Sequence, residues 1–229
     1  MSAMEGMPMP GGWTMSMTWM RMPDQTWSNA AASFLGMWLV MMAAMMLPSL
    51  IPMLWRYRQA VVRTGAARLG LLTALAAAAY FFVWALFGMF AYLSGVTLAS
   101  IEMQLPVLAR AVPIAAGVAV LIYGAIQFTP WKAHHLACCR EAPRHALPTD
   151  VRSAWREGLR LGLHCSCCCA NLTAILLVLG VMDLGVMTVV TAAITLERLA
   201  PRSERVVRAI GAVVVVAGLL LTARALVIG

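Results

Sequence analysis

The run HCSCCC at 164–169 puts four cysteines and a histidine into six consecutive positions. Cys165 and Cys168 form a CxxC pair. Cys165 and Cys169 lie one helical turn apart, as do His164 and Cys168, so a helix would turn several ligands onto adjacent faces. If the run opens a helix, the positive end of that helix favours the thiolate, the form of cysteine that binds metal. Cys167 adds a further thiol. A second group precedes the run: His134, His135, Cys138 and Cys139, with His135 and Cys139 again one turn apart. All six cysteines of the chain lie between 134 and 169. Thiolate and imidazole donors together suit a soft or borderline cation, Cu(I) first and zinc second. Two other roles stay open: thiol–disulfide exchange at the CxxC pair, and cysteine as a small buried hydrophobe. There is no CxxCH haem-attachment motif.

Methionine supplies a second soft donor. Met4, Met7, Met9, Met15, Met17, Met20 and Met22 fall within 19 residues, in patterns such as MPMP and TMSM. A thioether is neutral, selects Cu(I) over harder ions, and survives where thiols would oxidise. The alternative is a disordered tail using methionine as apolar filler. In MWLVMMAAMML at 37–47, Met37, Met41 and Met45 share a helical face, with Met42 and Met46 beside them. Methionine in such a position also packs as ordinary core.

These groups must be carried by membrane helices. Hydrophobic residues make up 62% of the chain and charged residues 11%, against about 25% charged in a soluble domain. The mean hydropathy is +0.83. A span needs roughly 20 apolar residues, and six such segments can be marked at 30–55, 69–94, 111–130, 161–182, 184–200 and 206–228. Pro48 and Pro52 predict that the first is kinked or unwound in its last turns. The motif VMDLG at 181–185 predicts a tight turn that splits Leu161–Ala200 into two short spans, with Asp183 as turn chemistry.

Charge placement gives the orientation. Of the 17 Lys and Arg residues, 14 follow the first, third and fifth segments, leaving Arg21, Arg110 and Arg224 on the other side. The positive-inside rule puts the 14 in the cytoplasm and both termini outside it. The cysteines then lie in a reducing compartment, which argues against disulfides. The net charge of +8 is therefore orientation and not a nucleic-acid surface, since no basic stripe with interleaved aromatics occurs. Met1–Asn29 lacks the basic start and compact apolar core of a signal peptide. The expected organisation is a Met-rich extracytoplasmic tail over 1–29 and a transmembrane helical domain over 30–229, with a Cys/His cytoplasmic loop at 131–160. That loop is expected at the membrane surface as short amphipathic pieces. Glu197 and Arg198, at the end of the fifth segment, could pair with each other or anchor it. Gly158 and Gly162 would permit a close helix contact.

WLVMMAAMMLPSLIPML at 38–54, TPWKAHHLACCR at 129–140, HCSCCCANLTAILLVLGVMDL at 164–184 and LERL at 196–199 resemble the signature blocks of a bacterial family. Its members are known mainly as uncharacterised, predicted metal-binding integral membrane proteins. The blocks run in the family's order and cover most of the chain from the first segment onward. The resemblance implies that Cys165, Cys168 and Cys169 occupy the family's Cys-x-x-Cys-Cys positions. It implies that Cys139 is the second of two loop cysteines, with His135 standing at the first. Cys167 and His164 are additions to that pattern, and the Met-rich tail lies outside it.

The sequence thus predicts an all-α bundle of six spans in a bacterial inner membrane, in contact with lipid and binding no nucleic acid. Its metal ligands would be Cys165, Cys168 and Cys169, with His135 and Cys139 from the loop and Cys167, Cys138 and His164 beside them. Met37, Met41 and Met45 would relay Cu(I) inward from the tail. This is metal handling or transport and not catalysis. Its rivals are an accessory subunit of a larger membrane complex and a membrane thiol or metal oxidoreductase.

Overall fold

The computed structural model describes residues 7–9, 13–15, 19–20, 25–63, 69–140, 150–181, 183–200 and 203–228. Met4, Met17 and Met22 lie outside the described residues, as do the side chains of Cys138 and Cys139. Two short strands, β1 (Met7–Met9) and β2 (Trp13–Met15), pair antiparallel with Met7 opposite Met15 and Met9 opposite Trp13. The rest of the architecture is all-α. The helices are α1 (Trp27–Arg63), α2 (Leu69–Gln104), α3 (Pro106–Ile126), α4 (Pro130–Arg140), α5 (Val151–Leu179), α6 (Leu184–Leu199) and α7 (Ser203–Ile228). Part of the expected tail is therefore built. Met15 is buried, and the Trp13 indole Nε1 donates to the Ala109 carbonyl of α3 at 2.9 Å.

Local signals fix the helix ends. Thr26 Oγ1 accepts from the Asn29 amide at the start of α1, and Pro106 opens α3, where its missing N–H costs nothing. The expected turn at VMDLG is real. α5 stops before Gly180, whose φ of 130° suits only glycine, and Asp183 caps α6 by accepting from Gly185 and Val186 at 2.8 and 3.0 Å.

Five helices, α1 over Trp27–Pro48, α2, α3, α5 and α7 over Ser203–Val227, are long and apolar enough to cross a membrane. The 16 residues of α6 reach about 24 Å, short of a hydrocarbon core of roughly 30 Å. Val40, Phe90, Val107, Leu163, Val189 and Leu220 point outward, leaving apolar surface uncovered on each of the five and on α6. α5 is the most buried of the five. It packs against α2, α3, α4 and α6, while α3 lies along α7 and α1 along α2. A side chain at Gly158 would meet the Ala76 carbonyl and the Ala79 methyl, so α5 and α2 touch backbone to backbone there.

Three expectations are corrected. α1 stays helical through Pro48 and Pro52 to Arg63, so its last turns are not unwound, and Met45, Met46 and Leu50 around the prolines are buried. α5 starts at Val151, well before the apolar segment at Leu161. Arg152, Arg156 and Arg160 face outward while Ala154, Gly158 and Leu161 face inward, an amphipathic pattern that hydropathy averaging hides. The segment 131–160 is not wholly surface, since α4 buries Lys132 and Leu136 within the bundle.

Candidate metal centre

On α5 the spacing of the HCSCCC run turns Cys165, Cys168 and Cys169 to the core, each no more than 2% exposed, and leaves His164 and Cys167 half-buried. Cys165, Cys167, Cys168 and Cys169 are in no disulfide among the described residues. Side-chain hydrogen bonds join Cys169 to both Cys165 and Cys168. Tyr80 reaches in from α2 and its hydroxyl lies 2.9 Å from Cys165 Sγ. From α1, Met46 brings its sulfur to 4.0 Å from the same thiol. Three helices therefore converge on one sulfur-rich point.

The methionine face of α1 is core throughout. Met41, Met42, Met45 and Met46 are buried and Met37 packs partly against them. The thioether set against a thiol is Met46, from the row beside Met37, Met41 and Met45. Among the described residues, no group of three or more His, Cys, Asp or Glu side chains is already gathered to hold a metal ion.

A buried polar network backs the thiols. Lys132, fully buried on α4, makes a 2.8 Å ion pair with Glu197 of α6 and donates to the Cys168 carbonyl at 2.6 Å and to Asn171 Oδ1 at 3.3 Å. Gln127 Nε2 donates to the other Glu197 oxygen at 2.7 Å. A buried charge is tolerated only when paired and hydrogen-bonded, and this one is tied to the backbone of a cysteine. Arg198, also buried, acts electrostatically on Tyr80, Cys165 and Cys169. Glu197 is thus not paired across to Arg198 alone: its ion pair is with Lys132.

The histidines form a separate group. The rings of His135 on α4 and His164 on α5 have centroids 6.3 Å apart, and His134 lies 5.7 Å from His135. The indole of Trp131 meets His135 edge-on at 4.5 Å.

A family model described as PpoB2, copper chaperone, matches residues 35–221. The chain belongs to this copper chaperone family. No curated protein and no solved structure matches the chain. The match takes in α1 from Leu35 onward, the thiol cluster, Lys132 and Glu197, and leaves the methionine hairpin outside. Membership supports a metal-binding role and copper as the metal, as the soft-donor reading expected.

Sequence reasoning missed Tyr80, Gln127 and Asn171, and took Lys132 only as one positive-inside charge. A signal for Lys132 was present. It is the single lysine of the chain, at the end of an apolar segment, while Glu197 is an acid at the end of another. Two opposite charges at such places are candidates to meet inside the bundle. For Tyr80, in the apolar run AAAAYFFVWALF, nothing local marks it out.

Proposed function

We propose that this member of the copper chaperone family is an integral membrane protein that takes Cu(I) as cargo at Cys165, Cys168 and Cys169, with Met46 as a thioether donor. The observation that carries the reading is the convergence of three buried thiols of α5 with the Met46 sulfur of α1. Thiolate with thioether favours Cu(I) over zinc, which takes sulfur as thiolate and otherwise nitrogen or oxygen. Membrane insertion is supported by the apolar outer faces and the five long helices. We read α6 as a short sixth crossing held by its neighbours, with the basic segments in the cytoplasm, both termini outside, and a bacterial inner membrane as the setting. Met37, Met41 and Met45 then line the way from the outer hairpin towards the thiols, and Cys138, Cys139 and Cys167 stand near the cytoplasmic end.

The test is Cu(I) titration of the detergent-purified chain against a chromophoric chelator without oxygen. Wild type should compete for copper, and a variant carrying Cys165→Ser, Cys168→Ser and Cys169→Ser should lose its tight binding. Equal affinity in the variant would sink the assignment. Absent copper binding, with a reversible thiol couple in metal-free protein, would move the function to thiol exchange.

A further inference from the structure

We propose that the chain has a second, nitrogen-based copper site, formed by His135 of α4 and His164 of α5, at the rim of the bundle and apart from the buried sulfurs. The inference rests on the copper reading above but uses different residues. His164 and Cys165 are neighbours in sequence, yet the Cys165 side chain is sealed in the core and His164 is half-buried. The donors therefore sort into two environments: thiols and a thioether in the core, and half-buried imidazoles nearer the edge of the bundle.

The spacing of the rings fits a shared ion. Two imidazoles on opposite sides of a cation, with metal–nitrogen bonds of about 2 Å, set their ring centroids roughly 6 Å apart. His135 and His164 stand at 6.3 Å with their planes inclined by 47°. A d10 ion such as Cu(I) accepts two nearly opposed nitrogen ligands, so the pair needs no third group. In addition, His135 Nδ1 is buried and has no hydrogen-bond partner. Buried polar atoms are rarely left so, and a ring nitrogen without a partner is a donor awaiting a ligand.

The surroundings hold the pair in place. Trp131 packs edge-on against the His135 ring. One turn earlier on α4, Lys132 is fastened to the Cys168 carbonyl, Asn171 and Glu197. α4 and α5 therefore run past each other antiparallel, with Lys132 beside Cys168 and Asn171, and His135 beside His164. The same pin that supports the thiols brings the two imidazoles side by side, with centroids 6.3 Å apart. His134, exposed and 5.7 Å from His135, stands on the solvent side. This arrangement gives a protein that passes copper on a half-buried station next to a closed one.

X-ray absorption at the copper edge tests this, on full-length protein loaded with Cu(I) in detergent under reducing, oxygen-free conditions. Wild type, the Cys165→Ser/Cys168→Ser/Cys169→Ser variant and a His135→Ala/His164→Ala variant are compared for copper content and for the atoms around it. The wild-type shell should contain both sulfur and nitrogen. The cysteine variant should keep a nitrogen-bound fraction, and the histidine variant should lose nitrogen and keep sulfur. A wild-type shell of sulfur alone, unchanged by the two histidine substitutions, overturns the second site and leaves the sulfur site standing. No copper uptake by wild type would remove both. The histidine substitutions are at half-buried positions, so their readout holds even where the cysteine variant does not fold.

Discussion

Replacing Lys132 by methionine separates two views of this residue. Counted as one of many cytoplasmic positive charges, Lys132 should be dispensable, and such surface changes fall within about 0.5 kcal/mol. In the structure it is fully buried, paired with Glu197 at 2.8 Å and bonded to the Cys168 carbonyl and Asn171. Methionine keeps most of the volume and flexibility but removes the charge, so Glu197 is left buried with Gln127 as its hydrogen-bond donor. Breaking a buried pair from one side costs roughly 3–5 kcal/mol, and Arg198 next to Glu197 argues for the lower end. In a chain of this size each kcal/mol moves the unfolding midpoint by about 2–4 °C, so Lys132→Met should unfold roughly 10 °C earlier in detergent. Glu197→Gln alone should cost a comparable amount. The double variant should lose much less than the sum of the two, because the second change removes the charge that the first stranded. Copper affinity should fall as well, since the Cys168 backbone loses its tether. A Lys132→Met protein within about 1 kcal/mol of wild type, or two losses that simply add, would refute the ion pair as the support of the thiol cluster.

Met46→Leu nearly conserves volume and should cost less than about 1.5 kcal/mol in stability, yet weaken Cu(I) binding about tenfold. Met42→Leu, a control one turn away with no assigned copper contact, should leave binding unchanged, and equal affinity of the Met46 variant with wild type in the chelator titration would remove the thioether from the site. Gly158→Ala adds a methyl against the Ala76 carbonyl and the Ala79 side chain. Overpacking of this kind costs about 1–3 kcal/mol, and a thermal midpoint equal to that of wild type would show that α2 and α5 do not meet so closely.

What the sequence makes legible follows the range over which each signal acts. Gly180 and Asp183 act within one turn of their own backbone, and the helix break they predict is where it should be. The cysteine face is legible for the same reason, since the spacing of Cys165, Cys168 and Cys169 alone turns them to one side of α5. Their partners are not, because Tyr80, Met46 and Lys132 reach them from three other helices, and no local pattern records which helix lies beside which. Averaged hydropathy fails where an element is amphipathic. It trims the start of α5, whose outward arginines hide an inward face of Ala154, Gly158 and Leu161. It sends α4 to the surface although Lys132 and Leu136 are inside.

The correction at Lys132 changes how the cysteines are understood. Three thiols in an apolar core could be packing, since cysteine is often fully buried without further purpose. Packing alone, however, gives no reason to bury a lysine on the Cys168 carbonyl and link it to an asparagine, a glutamate and, through that glutamate, a glutamine. Each of those groups loses hydration, and an apolar set of equal volume is often at least as stable as a buried ion pair. A network that holds the Cys168 backbone at a fixed place, with Arg198 acting on Cys165 and Cys169, is costly for a fold and useful for a site. On the copper reading proposed above, the polar residues behind the thiols, more than the number of cysteines, set a cation site apart from a well-filled core.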